Sequence, residues 1–424
     1  MTIIFSFCKE ARSLADRFKD IAAILEINYN CLCCFFTMYL FDCPSLSGIV
    51  RGVPQSGSVS SLSRAVERFD GNRFMKRLRA SILRKYKGRL NADDFCLAVD
   101  DTDNPRYGKN IFRVGRWKNS KGIYVGQKII TIALIDIKRG VAIPLGYEYG
   151  IKKDEVGYKT GLELAAELVL KSKQCGIPTS LPVVADSWFS STDFISKIND
   201  HGFEIVIELK SNRRAHSNRK ENWDVITNFF PYLEKTSVNA RLNPKNKKFQ
   251  QRKKWISLTT LYIKKLPTLL NVMATYNRKN SVKPFAVYAS TDLLMSGAKL
   301  WEYSRARWKI ECMFRDLKQN LSFGKLECRG KGGSDLTICI PFMIYTYLLL
   351  DFKENRKMLT KNSIGVMVKK IRNENINKTI SDFLNNQNLE RGKIIKLKAR
   401  NKKIVGKPTN IIAENNSPST LLAV

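Results

Sequence analysis

The chain has 424 residues, of which 73 are Lys or Arg and 38 are Asp or Glu, so its formal net charge is +35. Hydrophobic residues make up 44%, which is enough to bury sizeable cores and excludes a chain that is disordered throughout. The length corresponds to about two or three domains. So high a charge repels itself in a compact fold, and a polyanion relieves that repulsion. Nucleic acid is therefore the first partner we expect, and an anionic membrane surface is the second.

The rarer residue types narrow the chemistry. The only histidines are His201 and His216, which argues against a His-based metal centre or a Ser-His-Asp site. The ten cysteines contain no pair of C-x-x-C motifs, so we expect buried or free thiols in a reducing compartment. No basic segment precedes an apolar run at the N-terminus, so no signal peptide is predicted and the expected location is the cytoplasm.

Two apolar stretches raise the question of a membrane span. The first, 31–41, is about half of the roughly 20 residues that a span needs. The second, 336–350, is longer, but it contains Pro341 and ends at Asp351. A buried core helix is the better interpretation of the second stretch, and no membrane partner is expected.

Residues 1–94 are predicted to form a helical DNA-binding region. Apolar residues recur at three- and four-residue spacing over 15–27 and 61–86, and a Gly/Ser/Pro-rich stretch over 45–63 predicts a loop between them. Lys and Arg are dense in the second helical stretch. They form either a solvated helix face or contacts to the DNA backbone.

Residues 95–208 are predicted to form the first part of an α/β core. Short apolar and β-branched runs alternate here with amphipathic segments, and this order indicates a mixed sheet. The predicted strands are 95–99, 128–137, 140–150, 181–185 and 203–209, and the predicted helices are 157–175 and 191–201.

Residues 209–285 are predicted to be a basic, β-rich insertion. Positions 209–254 hold 13 Lys and Arg against three Asp and Glu, with aromatic residues interleaved. Strands are predicted over 255–262 and 270–276. The candidate DNA contacts in this insertion are Arg213, Arg214, Lys253 and Lys254.

The remaining sequence divides into two parts. Residues 286–352 complete the core, with a strand over 285–290, a long helix over 298–320, a Gly-rich link and the apolar helix. Residues 353–424 form a basic C-terminal region, densest over 393–407. It is either a flexible tail or an element that contacts DNA.

Acidic residues occupy positions suited to chemistry. Asp100 and Asp101 directly follow one predicted strand, and Asp186 follows another. Carboxylates at strand ends of α/β sheets project where ligands bind, although a single one can be only a turn or a helix cap. Glu311 lies in the long helix.

The long helix also groups charges. At about 100° per residue, Arg307, Glu311 and Lys318 fall within about 40° of one another. They border an apolar stripe made of Ile310, Phe314, Leu317 and Leu321. The bland alternative is a surface Arg/Glu pair four residues apart.

Taken together, these acids suit phosphodiester chemistry. Cleavage or transfer at a DNA phosphate needs charge neutralised at the attacking and leaving oxygens, which two Mg²⁺ or Mn²⁺ ions about 3.5–4 Å apart achieve. Mg²⁺ prefers carboxylate oxygens and water, so histidine is not needed. Nearby Arg307 and Lys318 could hold phosphates.

The order and local sequence of these residues resemble the DD(E/D) transposases of bacterial insertion sequences, in the group with the Tyr-Arg-Glu-Lys signature (the insertion-sequence-four group). The match rests on Ala98–Thr102, Val184–Phe189 and Tyr303–Lys318. The signature spacing of Arg307, Glu311 and Lys318 fits fully. Tyr303 lies four positions before Arg307, where the signature has three, and Ser304 takes the expected place.

The resemblance implies an RNase H-like core interrupted by the insertion before the catalytic helix. It also implies that Asp186 and Glu311 are the second and third metal ligands. Either Asp100 or Asp101 is the first, with a slight preference for Asp100. Tyr303, Arg307 and Lys318 would contact phosphate.

The function implied is transposition, by a protein that is associated with the nucleoid in a bacterial cytoplasm. The chain would bind terminal inverted repeats, cleave at the element ends and join the 3′-OH strands to target DNA, as a homodimer in a synaptic complex. Three alternatives stay open, namely an RNase H-like nuclease or resolvase without strand transfer, an inactive DNA-binding derivative, and a membrane-surface protein.

Overall fold

The computed structural model describes residues 7–108, 110–119, 121–217, 222–239, 253–266, 268–351 and 364–385. The helices are α1 (Lys9–Ile24), α2 (Tyr29–Leu40), α3 (Leu46–Gly52), α4 (Val59–Glu67), α5 (Gly71–Lys85), α6 (Gly161–Gln174), α7 (Thr192–Asn199), α8 (Gly297–Asn320), α9 (Gly330–Leu350) and α10 (Ile364–Asn385). The strands are β1 (Phe95–Pro105), β2 (Gly115–Asn119), β3 (Gly122–Asp136), β4 (Val141–Tyr149), β5 (Val183–Ala185), β6 (Ile205–Leu209), β7 (Arg214–His216), β8 (Asp224–Val225), β9 (Thr236–Asn239), β10 (Lys253–Ile263), β11 (Leu269–Tyr276) and β12 (Ala286–Ser290). The basic positions 393–407 lie outside the described residues.

The N-terminal region is helical as predicted, but its boundaries differ from the prediction. The stretch 45–63, predicted as a loop, contains α3 and the start of α4, because Ser45 and Ser58 act as helix caps. Their side chains accept hydrogen bonds from the backbone N–H groups of Gly48 and Ser61. The predicted helix over 61–86 is two helices, since Asp70 caps a new one at its N-terminus.

The strands form one mixed sheet. Its order is β2-β3-β1-β5-β6-β12-β11-β10-β7-β8, with β4 paired to β3 and β9 paired to β10. Strand β1 runs antiparallel to β3 and parallel to β5, and β5 runs parallel to β6. The predicted α/β class with a mixed sheet is confirmed.

The β-rich insertion continues this sheet. Strand β12 pairs with β6 on one side and with β11 on the other, and β11 pairs with β10. The sheet therefore passes from the core into the insertion without a break. The predicted strand over 285–290 is confirmed as β12.

Strand β1 is longer than the sequence pattern predicts. It pairs with β3 along its whole length, from Phe95 opposite Asp136 to Pro105 opposite Gly126. Asp100 and Asp101 consequently lie inside the strand. The prediction that they follow its end is wrong. Alternation along a strand then turns these two neighbouring side chains to opposite faces of the sheet.

Helix α9 is the one helix among the described residues that is long and apolar enough to cross a membrane, and 89% of its most apolar 18-residue segment is buried in the fold. It is a core helix here, as predicted. The Gly-rich link predicted before this helix belongs instead to its first turn, which holds Gly330, Gly332 and Gly333. A Cβ on Gly332 would lie 2.2 Å from the carbonyl oxygen of Val66, so close packing against the end of α4 requires glycine there.

Candidate active site

Parallel pairing brings the first two predicted acids together. Leu97 lies opposite Val183 and Ala98 lies opposite Val184 in the β1–β5 pair. Two residues further along this register, Asp100 of β1 comes beside Asp186, which directly follows β5. Residues opposite each other in neighbouring strands point to the same face, so both carboxylates face α8.

Helix α8 supplies the third acid and a cation between the acids. Its apolar stripe is buried as predicted, which fixes the helix against the sheet. Arg307 Nη2 lies 2.7 Å from Glu311 Oε1, and Arg307 Nη1 lies 3.4 Å from Asp100 Oδ2. One guanidinium thus bridges a helix carboxylate and a strand carboxylate.

The electrostatics of this cluster follow from burial. Burial raises the pKa of Asp100 to about 8, and the charge of Asp186 adds to the rise while Arg307 opposes it. Burial also opposes the charge of Arg307, yet its pKa is raised because the surrounding carboxylates outweigh burial. The negative charge of the carboxylates in this cluster is therefore only partly balanced, and Arg307 supplies the balancing positive charge.

Asp101 has a different environment on the other face. Its Oδ2 lies 3.1 Å from Lys128 Nζ of β3, and this ammonium group also lies 4.6 Å from the ring centre of Trp188. Burial raises the pKa of Asp101, and Lys128 opposes that rise. The geometry therefore groups Asp100, not Asp101, with Glu311.

The other two residues of the predicted signature stand apart from the acids. Lys318 Nζ donates to Thr102 Oγ1 and to the carbonyl oxygen of Asp103, both at 2.7 Å, and so ties the end of α8 to β1. Tyr303 is 2% exposed, and its hydroxyl donates to the carbonyl oxygen of Ala92. The structure does not bring Tyr303 to the acids, because the extra residue before Arg307 turns it into the core.

The predicted basic contacts of the insertion have separate places. Arg213 donates to the hydroxyl of Ser190 at 2.7 Å, which fastens the loop that follows Asp186. Arg214 is exposed on β7. Lys253 and Lys254 lie at the start of β10, and Lys253 Nζ donates to Asn239 Oδ1 at 3.1 Å.

A fourth carboxylate, that of Glu208, lies beside the acids, and it is not predicted from the sequence. Ala185 of β5 lies opposite Ile207 of β6, so the next residues along, Asp186 and Glu208, come side by side. The charges of Asp186 and Glu311 raise the pKa of Glu208 further, although burial is the main cause and Arg307 opposes it. Glu208 sits one residue before the end of an apolar strand, and that position was the available signal.

The family comparison covers this whole site. The model of the family described as Transposase DDE domain matches residues 97–347, which include all four carboxylates and Arg307. The chain belongs to the Transposase DDE domain family. The cryo-EM structure of a piggyBac transposase synaptic complex with hairpin DNA is similar over 91% of this chain and 77% of that chain, with 12% identity and a TM-score of 0.42. No curated protein matches the chain.

The donor chemistry of the DDE domain fits a hard divalent cation. Asp100, Asp186, Glu208 and Glu311 offer only carboxylate oxygens, which Mg²⁺ and Mn²⁺ prefer. In the conformation described, no group of three or more His, Cys, Asp or Glu among the described residues converges closely enough to hold an ion. Arg307 lies between Asp100 and Glu311 instead, so an ion could join these ligands only if the guanidinium moved.

Proposed function

We propose that the chain is the transposase of a bacterial insertion sequence, built on an RNase H-like core. It would bind the terminal inverted repeats, cleave DNA at the element ends and transfer the 3′-OH strands to target DNA. One observation carries the proposal. Within the DDE domain, the parallel β1–β5 pairing brings Asp100 of β1 beside Asp186, which directly follows β5, and Arg307 links Asp100 to Glu311 on the covering helix.

The chain's own residues would hold and orient the reacting DNA. When bound to Asp100, Asp186 and Glu311, two Mg²⁺ or Mn²⁺ ions would neutralise charge at the attacking and leaving oxygens. Arg307, freed from its carboxylates, would be close enough to pair with a DNA phosphate. Arg213 would keep Asp186 in place by fastening the loop behind it.

The charge of the chain supports DNA as the partner. A net charge of +35 provides the phosphate contacts that dominate affinity for duplex DNA. The exposed Arg214 and Lys253 of the insertion are suited to such contacts. Since two element ends must be cut and joined together, we propose a homodimer acting in a bacterial cytoplasm at the nucleoid.

A cleavage and joining assay tests the proposal. The substrate is a plasmid that carries the DNA flanking this gene, incubated with Mg²⁺ or Mn²⁺. We expect metal-dependent cuts at the flanks, followed by joined products, and loss of both in Asp186→Asn and Glu311→Gln. Glu148→Gln is the matched control, because Glu148 is a strand glutamate that pairs with Lys171 of α6, away from α8.

The other outcomes separate the alternatives. Cuts without joined products would support an RNase H-like nuclease or resolvase. Tight DNA binding without cuts, unchanged in Asp186→Asn, would support an inactive DNA-binding derivative. Either result would contradict the proposed transposition.

A further inference from the structure

Glu208 completes a row of polar groups across the sheet. Continued by two residues, the register of the β1–β5 pair brings Asp100 beside Asp186, and continued by one residue, that of the β5–β6 pair brings Asp186 beside Glu208. Tyr288 of β12 lies directly opposite Glu208. All four side chains face α8. Glu208 is therefore placed on the far side of Asp186 from Asp100, under the same helix that carries Arg307.

Glu208 differs from the other carboxylates in what it contacts. Asp100 and Glu311 both pair with Arg307, and Asp186 accepts a hydrogen bond from the backbone N–H of Trp188 at 2.8 Å. Within the part of the chain that the structure describes, no hydrogen-bond or ion-pair partner of the Glu208 carboxylate is found. It is half-buried, and the positive charge it feels is that of Arg307.

Arg307 contacts the same two carboxylates that a divalent metal would need. The guanidinium occupies oxygens of Asp100 and Glu311, which are the oxygens that the proposed function assigns to a divalent metal. Before DNA supplies a phosphate, a buried guanidinium that gave up both carboxylates without a new partner would pay a large desolvation cost. A free carboxylate under the same helix removes that cost.

We propose that Glu208 is a positioning residue that receives Arg307 when Asp100 and Glu311 turn to a divalent metal. This inference rests on the proposed function, since it assumes that these two carboxylates are metal ligands. Without Glu208, Arg307 keeps its present partners and competes with the metal for them. In this proposal Glu208 acts on metal binding through Arg307, and it is not itself a metal ligand.

A double-mutant cycle on metal binding tests the inference without using activity. Mn²⁺ binding to the full-length protein is measured from the signal of free Mn²⁺ in electron paramagnetic resonance. Wild type is compared with Glu208→Gln, Arg307→Gln and the double variant. Glu208→Asp, which keeps the charge, and Glu148→Gln, the strand glutamate on the other face, are the controls, and circular dichroism confirms that each variant is folded.

We expect the effect of Glu208→Gln to depend on Arg307. It should raise the half-saturating Mn²⁺ concentration about tenfold in the wild-type background, a coupling typical of contacting charged groups. In the Arg307→Gln background the same change should have an effect of less than about twofold, because the competitor has gone. Glu208→Asp should stay close to wild type, and Glu148→Gln should not change binding.

Two results would overturn the inference. Equal losses in both backgrounds would make Glu208 a ligand or a general source of negative charge, and unchanged binding in Glu208→Gln would remove any role for it. Cleavage assays on the same proteins keep the two proposals apart. If wild type binds Mn²⁺ and cleaves DNA while the cycle shows no coupling, only this inference fails; if wild type binds no Mn²⁺ and cleaves nothing, the proposed function fails with it.

Discussion

Arg213, directly before β7, donates a hydrogen bond to the hydroxyl of Ser190 at 2.7 Å. The same guanidinium also donates to the Ser190 carbonyl oxygen. Ser190 ends the short turn Ser187–Phe189 that follows Asp186. Arg213 thus fastens the insertion to the loop that follows Asp186, a candidate metal ligand. This basic residue therefore has a structural role.

Replacing Arg213 should therefore affect cleavage more than DNA binding. Losing a hydrogen bond from a charged donor costs about 1.5–3 kcal/mol, and the loop that carries Asp186 would loosen. We expect Arg213→Ala to slow metal-dependent cleavage about tenfold or more, while DNA affinity changes little. Both are measured on the same plasmid-derived duplex.

The neighbouring Arg214 provides the matched control. It is exposed, and among the described residues its side chain donates a single, long hydrogen bond, to the carbonyl oxygen of Trp223 at 3.4 Å. Arg214→Ala should weaken DNA binding and reduce its salt dependence by about one phosphate contact. If Arg213→Ala and Arg214→Ala behave alike, the fastening role of Arg213 is wrong.

The two neighbouring aspartates of β1 should differ sharply. Asp100 faces α8 beside Asp186, whereas Asp101 pairs with Lys128 on the opposite face. The proposed function assigns Asp100 to the metal, and removing a metal ligand costs several kcal/mol of transition-state stabilisation, so Asp100→Asn should lower the cleavage rate by about 10³-fold or more. Asp101→Asn breaks only a partly buried ion pair.

Single-turnover cleavage in Mn²⁺ distinguishes the two. Asp101→Asn should retain cleavage within about tenfold of wild type, with a modest loss of stability. A larger loss in Asp101→Asn than in Asp100→Asn would mean that Asp101, and not Asp100, is the first ligand.

The sequence predicted those parts of the site that depend on local pattern. The buried stripe of α8 and the strand before Asp186 both follow from short-range periodicity, and the structure has both. The spacing of Arg307 and Glu311 also predicts their contact, since residues four apart meet on one helix face.

What the sequence could not predict depends on pairing between distant strands. Glu208 joins the site only because β5 and β6 pair in one particular register. The full length of β1, and so the opposite orientation of Asp100 and Asp101, depends on its pairing with β3. The local hydrophobic pattern does not indicate either register, so both are seen only in the assembled sheet.

Asp335 anchors the N-terminal helices to the core. This carboxylate is 1% exposed, and it accepts hydrogen bonds from the hydroxyls of Tyr147 at 2.8 Å and Tyr149 at 3.2 Å. It also accepts one from the backbone N–H of Gly71 at 3.3 Å, which is the first residue of α5. One side chain of α9 thus joins β4 to the N-terminal region.

Removing Asp335 should be strongly destabilising. Asp335→Ala removes the shared acceptor of the Tyr147 and Tyr149 hydroxyls and of the Gly71 N–H, and should lower the free energy of unfolding by about 3–5 kcal/mol. Urea denaturation measures this value. Asp20→Ala is the control, because Asp20 forms a surface ion pair with Arg77 at 3.1 Å and should cost less than about 1 kcal/mol.

Tyr303 provides a test of the departure from the signature. Its hydroxyl donates to the carbonyl oxygen of Ala92, just before β1, and its side chain is one of the buried residues of α8. Tyr303→Phe removes only that hydrogen bond, so it should lower the free energy of unfolding by about 1 kcal/mol. DNA affinity and the cleavage rate should stay within about twofold of wild type, because the hydroxyl lies in the core and not beside the acids.

Arg307→Gln is the comparison for Tyr303→Phe, since both residues lie on α8 but only Arg307 contacts the carboxylates. Arg307→Gln should lower the cleavage rate by much more than Tyr303→Phe does, and it should do so in single-turnover reactions with saturating protein. A Tyr303→Phe variant that keeps its stability but loses DNA binding would contradict the placement of Tyr303. The tyrosine would then contact phosphate as the signature implies, and the first turns of α8 would have to rotate to expose it.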